Sequence, residues 1–236
     1  MTVSPTPHRD LPVAPSAAPR PVGVPAVAGR VLAMLLLVVA AAGLGLALPH
    51  LPSLVAVDAS ALTAVSAATP PLAAQVAALI DLLFGGPVAP FVLLAVLVAG
   101  FLLTRSRRAT ARMTVLVVVP WAVSAVLKVV VQRPRPEASL SVVDLVPSPV
   151  SWSFPSGHTA FAAALVCAIL LTVPAGRTRR LLLLPALAVI AVTAWSRVAL
   201  GVHFPLDVLV SAILVPMLSA LLAGMLPAAR GRTHDA

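Results

Sequence analysis

Charge is scarce in this chain. Of its 236 residues, 10% are Asp, Glu, Lys or Arg, and only seven are acidic. A soluble globular domain carries about a quarter charged residues, so that class is excluded. Cysteine is nearly absent too: Cys167 is the only one, inside an apolar run where packing is its natural role. A single cysteine rules out an intramolecular disulfide and a thiolate metal cluster. The few carboxylates form no cluster able to hold magnesium, so no metal or other cofactor is expected. What is abundant is apolar: 60% of the chain is hydrophobic. It falls in stretches near the roughly 20 residues a helix needs to cross the hydrocarbon core, which marks an integral membrane protein. The formal charge of +9 sits in short clusters between those stretches. That pattern belongs to topology control at an anionic lipid surface, and no nucleic-acid partner is expected.

Residues 1–29, rich in proline with Ala, Val, Ser and Arg, resist a packed core and read as a disordered tail. The apolar run 31–48 exceeds a signal peptide's h-region of about 7–15 residues and reads as an uncleaved first span. Five more spans are expected at 88–104, 113–131, 157–173, 181–195 and 205–226. All are helical, because an isolated strand cannot satisfy its backbone in lipid. The stretch 72–84, LAAQVAALIDLLF, is short and carries Gln75 and Asp81, which suits an interfacial or partly buried helix better than a span. Six spans put twelve of the sixteen cations on the side of the N-terminal tail, and the positive-inside rule makes that side cytoplasmic. A seventh would move later arginine clusters to the other side. The expected layout is all-α: a tail over 1–29, one six-helix bundle over 30–227 with both termini cytoplasmic, and a short basic tail over 228–236.

Four cations remain on the outer side, where that rule gives them no reason to be. Lys128, the only lysine, ends the third span in KVVVQRPRPE together with Arg133 and Arg135; Arg197 ends the fifth. Between them, Pro155-Ser156-Gly157-His158 opens the fourth span, and SRVALGVHFPLD carries Arg197, His203 and Asp207 into the sixth. One folded bundle brings these outward ends together. Arginine offers a planar fork of donors suited to phosphate oxygens and lysine a compact charge. Ser156 is placed as an N-cap, which leaves the first amides of that helix, Gly157 and His158, as an anion site, and the glycine admits close approach of a ligand. Pro205 suits a first helical position, so His203 precedes the helix and Asp207 lies in its first turn. The carboxylate can then fix the imidazole's tautomer and leave the other nitrogen free to attack, while His158 donates a proton to a leaving oxygen.

The order K-x6-RP, PSGH, SR-x5-H-x3-D resembles the three-part signature of the type 2 phosphatidic acid phosphatase family, the lipid phosphate phosphatases. Every specified position is matched within residues 128–207. The resemblance implies a six-helix membrane phosphatase that works through a phosphohistidine and without metal. It makes His203 the nucleophile, Asp207 its orienting partner and His158 the acid, with Lys128, Arg135, Ser156, Gly157 and Arg197 holding the phosphate. The implied partners are a lipid phosphate or diphosphate, of prenyl diphosphate, phosphatidate or phosphatidylglycerol phosphate type, and the surrounding membrane lipids. The active site then faces the extracytoplasmic side of the cell membrane.

Residues outside the signature take plainer readings. Arg133 has the wrong spacing from Lys128 and receives a supporting place only; Asp58, Asp81, Glu137 and Asp144 read as solvated loop or interfacial acids, and His50 as a loop histidine. Trp121 lies mid-span and reads as packing. Two rival functions use the same residues: a phosphotransferase that hands the phosphoryl group to an alcohol, and a non-enzymatic lipid carrier with a basic headgroup site. The latter has no use for an oriented neutral imidazole.

Overall fold

The computed structural model describes residues 24–86, 88–141, 143, 145–146 and 150–227. Among them there is no strand, and eight α-helices follow one another: α1 (Val24–Ala47), α2 (Pro52–Ala67), α3 (Pro71–Phe84), α4 (Ala89–Thr104), α5 (Arg107–Val131), α6 (Gly157–Thr172), α7 (Arg177–Ala199) and α8 (Pro205–Ala223). The tail over 228–236, Asp144 and the first 23 residues of the expected N-terminal tail lie outside the described residues. The remainder of that tail is already helical, since α1 begins at Val24.

Among the described residues, four helices are long and apolar enough to cross a membrane: α1 with the short turn that follows it, α5, α7 and α8. The expected spans at 88–104 and 157–173 form α4 and α6, apolar helices of 16 residues each. Ahead of α3 lies α2, a helix that the apolar runs of the sequence do not mark. It pairs with α3 across a short break, the two bent by 114°. Large apolar side chains are exposed along α1 (Leu32, Leu35, Leu36, Val39) and α7 (Leu181, Leu183, Leu184, Leu187). An outward apolar coat of this kind fits a hydrocarbon surround, and the chain is a multi-pass helical membrane protein.

The core is built around α6, which packs against α5, α7 and α8. Its sequence explains why: Ala160, Ala162, Ala163, Ala164 and Ala168 are all fully buried. In lipid there is little hydrophobic gain from helix pairing, so close backbone approach over small residues supplies the cohesion. Phe161 fills the remaining space, with Trp121 of α5 at 4.9 Å and Phe84 of α3 at 6.1 Å between ring centroids. Trp121 thus packs as its mid-span position implied.

The two ends of the bundle differ in kind. At one end Arg112 of α5 donates to the carbonyls of Ala223 (3.0 Å), Leu226 (2.8 Å) and Pro227 (2.9 Å), and Arg30 of α1 donates to that of Gly224. These guanidiniums serve the orphan carbonyls that every helix C-terminus leaves. The opposite end holds the last turns of α5 and α7 and the first turns of α6 and α8, and the signature residues lie there.

Candidate active site

Lys128 stands in the last turn of α5, which Gln132 stops by turning left-handed (φ 52°). The following Arg133–Arg135 segment runs alongside residues 151–153: the Ser153 amide donates to the Arg133 carbonyl (2.9 Å) and its hydroxyl to that of Pro134 (2.9 Å). Lys128 Nζ crosses to the Trp152 carbonyl at 2.7 Å. Arg135 donates to the Ser151 carbonyl (2.7 Å), the Ser151 hydroxyl (3.0 Å) and the Val202 carbonyl (2.5 Å). Proline has no amide to donate, so beyond that one backbone bond side chains hold this junction.

Ser156 caps α6 as its sequence position implied, and its hydroxyl accepts from the Thr159 amide (3.4 Å) and hydroxyl (3.1 Å). The cap is tied to α8, because the Ser156 amide donates to the Asp207 carbonyl (3.0 Å) and Ser211 returns a bond to the Ser156 carbonyl (2.9 Å). Ser156 is fully buried, so its hydroxyl is a cap that shapes the mouth. The amides of Gly157 and His158 head the first turn, where a helix has donors without intrahelical acceptors.

His203 follows a left-handed turn at Gly201 (φ 67°), where the amides of Val202 and His203 both reach back to the Arg197 carbonyl. A side chain at Gly201 would be strained and would meet Ser141. The turn sets the imidazole between Arg135 and Asp207. Arg135 Nη1 lies 3.1 Å from His203 Nε2, and Asp207 Oδ2 lies 3.4 Å from Nδ1. A guanidinium only donates, so Nε2 must be the bare acceptor and the ring proton belongs on Nδ1, facing the carboxylate. At 3.4 Å that contact is longer than a full hydrogen bond, and Nδ1 has no other partner. Burial, reinforced by the charges of Arg135, Lys128, His158 and Arg197, holds the His203 imidazolium well below the ordinary histidine value. The ring is neutral at pH 7. Arg135 is drawn down to about 10, mainly by its own burial, and keeps its charge.

The surroundings of His158 are assembled differently. His158 Nε2 lies 3.1 Å from Asp81 Oδ1 and 3.2 Å from the Asp81 carbonyl; both are acceptors, so this nitrogen carries a proton. Arg197, fully buried, pairs with the same Asp81 carboxylate and donates to the Ala77 carbonyl (3.0 Å) and the Ser196 hydroxyl (3.1 Å). Gly85, just past α3, has no room for a Cβ because the His158 ring fills the place. Asp81 is therefore more than a solvated or interfacial acid: α3 carries it onto two signature residues.

A sequence model of the PAP2 superfamily matches residues 92–230. The chain belongs to the PAP2 superfamily. Among solved structures it is similar to a transmembrane PAP2-type phosphatidylglycerolphosphate phosphatase from Bacillus subtilis, at 23% identity and a TM-score of 0.66 over 84% of this chain and 94% of that one. It is also similar to LpxE of Aquifex aeolicus, at 24% identity and a TM-score of 0.55 over 69% and 92%. No curated protein matches the sequence. At these identities the likeness concerns the fold.

Within this PAP2 fold, Lys128, Arg135, Ser156, Gly157, His158, Arg197, His203 and Asp207 all come to one end of the bundle. Three residues outside the signature come with them. Besides Asp81, these are Asp58, read from the sequence as solvated but 3% exposed, and Arg133, 8% exposed. Arg133 bridges Asp58 Oδ2 and Asp207 Oδ1, each at 2.7 Å. An acid within an apolar helix is costly unless paired, which raises the question of a partner for Asp81 but does not name one.

Proposed function

We propose that this chain is a membrane phosphatase that hydrolyses a lipid phosphate mono- or diphosphate ester through a phosphohistidine at His203. The observation that carries the reading is the neutral His203, with Nε2 bare beside Arg135 and Nδ1 turned to Asp207. A metal-free nucleophile needs that arrangement. Lys128, Arg135 and Arg197 supply the positive charge that spreads over the transferring phosphoryl oxygens.

In the first step Nε2 attacks phosphorus and the bond to the leaving oxygen breaks; that oxygen takes a proton from the His158 imidazolium, which the Asp81 carboxylate stabilises, and His158 is left as neutral imidazole. In the second, His158 accepts a proton from water, the water oxygen attacks phosphorus, and the P–N bond breaks to release inorganic phosphate and neutral His203. A lipid substrate is supported by a groove of about 470 Å³ between α1, α2 and the segment after α5. Leu46, Leu48, Val55 and Phe204 give it apolar lining, and Arg133 and Arg135 line it as well. An apolar chain with a phosphate at one end matches that lining.

In this reading six helices cross the bilayer within one domain over 30–227, α4 and α6 included, and both termini are cytoplasmic. The arginines gathered at the end opposite the site support the orientation, and the site then opens on the extracytoplasmic face. The test is phosphate release from a panel of lipid phosphates and diphosphates by the detergent-purified protein. Wild type should release phosphate in the presence of EDTA, and His203→Ala should not. Full activity in His203→Ala removes the nucleophile assignment, and a strict magnesium requirement removes the metal-free mechanism. Phosphoryl transfer to an added alcohol in place of free phosphate would make the enzyme a transferase.

A further inference from the structure

Asp58 and Arg133 belong to no part of the signature, yet they form the most enclosed charge cluster in the described residues. Asp58 Oδ2 bonds Arg133 Nη2 and Asp58 Oδ1 accepts from the Leu206 amide at 2.9 Å. Arg133 Nη1 bonds Asp207 Oδ1, its guanidinium lies 4.1 Å over the Phe204 ring, and Asp207 Oδ2 accepts from the Phe204 amide at 2.9 Å. The side chains of Asp58, Arg133 and Asp207 are 1%, 7% and 0% exposed. Every oxygen of both carboxylates thus has a partner, and the one direction left at Asp207 Oδ2 is toward His203 Nδ1.

We propose that Asp58 and Arg133 are positioning residues for the nucleophile: Arg133 orients the Asp207 carboxylate, and Asp58 restores the negative charge that Arg133 would otherwise cancel. The charge count is what requires the third member. Arg133 with Asp207 alone sums to zero, and a neutral pair beside Nδ1 would do little to keep electron density on His203. Asp58 returns the cluster to a single negative charge. That charge matters because the other neighbours of His203 oppose it: Lys128 of α5, Arg135 after α5, His158 of α6 and Arg197 of α7 all act to weaken its basicity. Asp81 of α3 offsets the last two through its contacts with them. Bonds to the Leu206 and Phe204 amides also fix the first turn of α8, so the same cluster sets where Asp207 stands.

The inference rests on His203 as the nucleophile, and its test uses opposite charge changes in the detergent-purified full chain. Asp58→Asn should lower kcat about tenfold to a hundredfold with little change in KM. It should also shift the acid limb of the kcat/KM profile to lower pH, by about half a unit or more, because a less negative surround makes His203 harder to protonate. Arg133→Gln leaves two uncompensated carboxylates and should move the same limb to higher pH. Arg133→Lys keeps the charge but cannot fork to both acids, so kcat should fall with the limb unmoved. A merely structural pair would lower activity in all three without opposed shifts, and limbs that stay put or move together overturn the proposal. A ¹⁵N-histidine titration of His203 reads the same two shifts without turnover. It therefore decides the matter even where a variant is inactive, and it separates this inference from failure of the phosphatase reading, which His203→Ala tests.

Discussion

The two histidines of the site live in different surroundings. His203 and Asp207 are four residues apart on one connection, with side chains 2% and 0% exposed. His158 and Asp81 come from separate helices, with side chains 20% and 28% exposed. The first pair is locked by buried counter-charges and by the amides that start α8. The second depends on how α3 lies across the mouth of α6. The difference matches what each half does in the proposed chemistry. A nucleophile gains from a fixed lone pair, whereas the acid side must admit a leaving group and then water. Enclosure suits one histidine and access suits the other.

Breaking the enclosed half should have the largest effect. Asp207→Asn leaves His203 without its orienting charge and invites the wrong tautomer, and kcat for phosphate release should fall on the order of 10³–10⁴-fold. The open half should be less severe and depend on the substrate. His158→Asn should slow hydrolysis of alkyl phosphates by about 10²–10³-fold. An aryl phosphate, whose leaving group needs no proton, should lose far less in the same variant; equal losses on both would contradict the acid role. The smallest effect separates the halves most sharply. Asp81 competes with any anion for Arg197 and His158, so Asp81→Asn should tighten inhibition by orthophosphate by about tenfold or less. Weaker inhibition would instead make Asp81 a group that prepares the anion site.

The same contrast explains what could be read from the sequence. The signature residues are legible because each motif is local: PSGH is a helix mouth, and HFPLD puts a histidine before a first-turn carboxylate. The short helix over 72–84 is legible for its apolar run. Asp58 and Asp81 are not, since their partners lie 75 and 116 residues away, and a single acid in an apolar stretch looks the same paired or solvated. Arg133 has the wrong spacing from Lys128 for the signature and so takes only a supporting place, although a cation on the outer side already lacks a topological reason. The helix α2 escaped because Ser53, Asp58, Ser60, Thr63 and Ser66 dilute its apolar signal. Ser60 and Thr63 spend their hydroxyls on carbonyls of their own helix, a satisfaction that hydropathy does not register.

One further property follows from how α8 is held. Its 19 residues make a rod of about 28 Å, close to the thickness of the hydrocarbon layer. Asp207 and Ser211 fasten one end to the mouth of α6, and Arg30 and Arg112 grip the carbonyls at the other. A rod fixed at both ends cannot slide to accommodate a thinner or thicker bilayer. Mismatch is then met by tilting the bundle or by deforming the lipid around it, while the bonds at the rod's end hold the carboxylate behind His203 in place against α6.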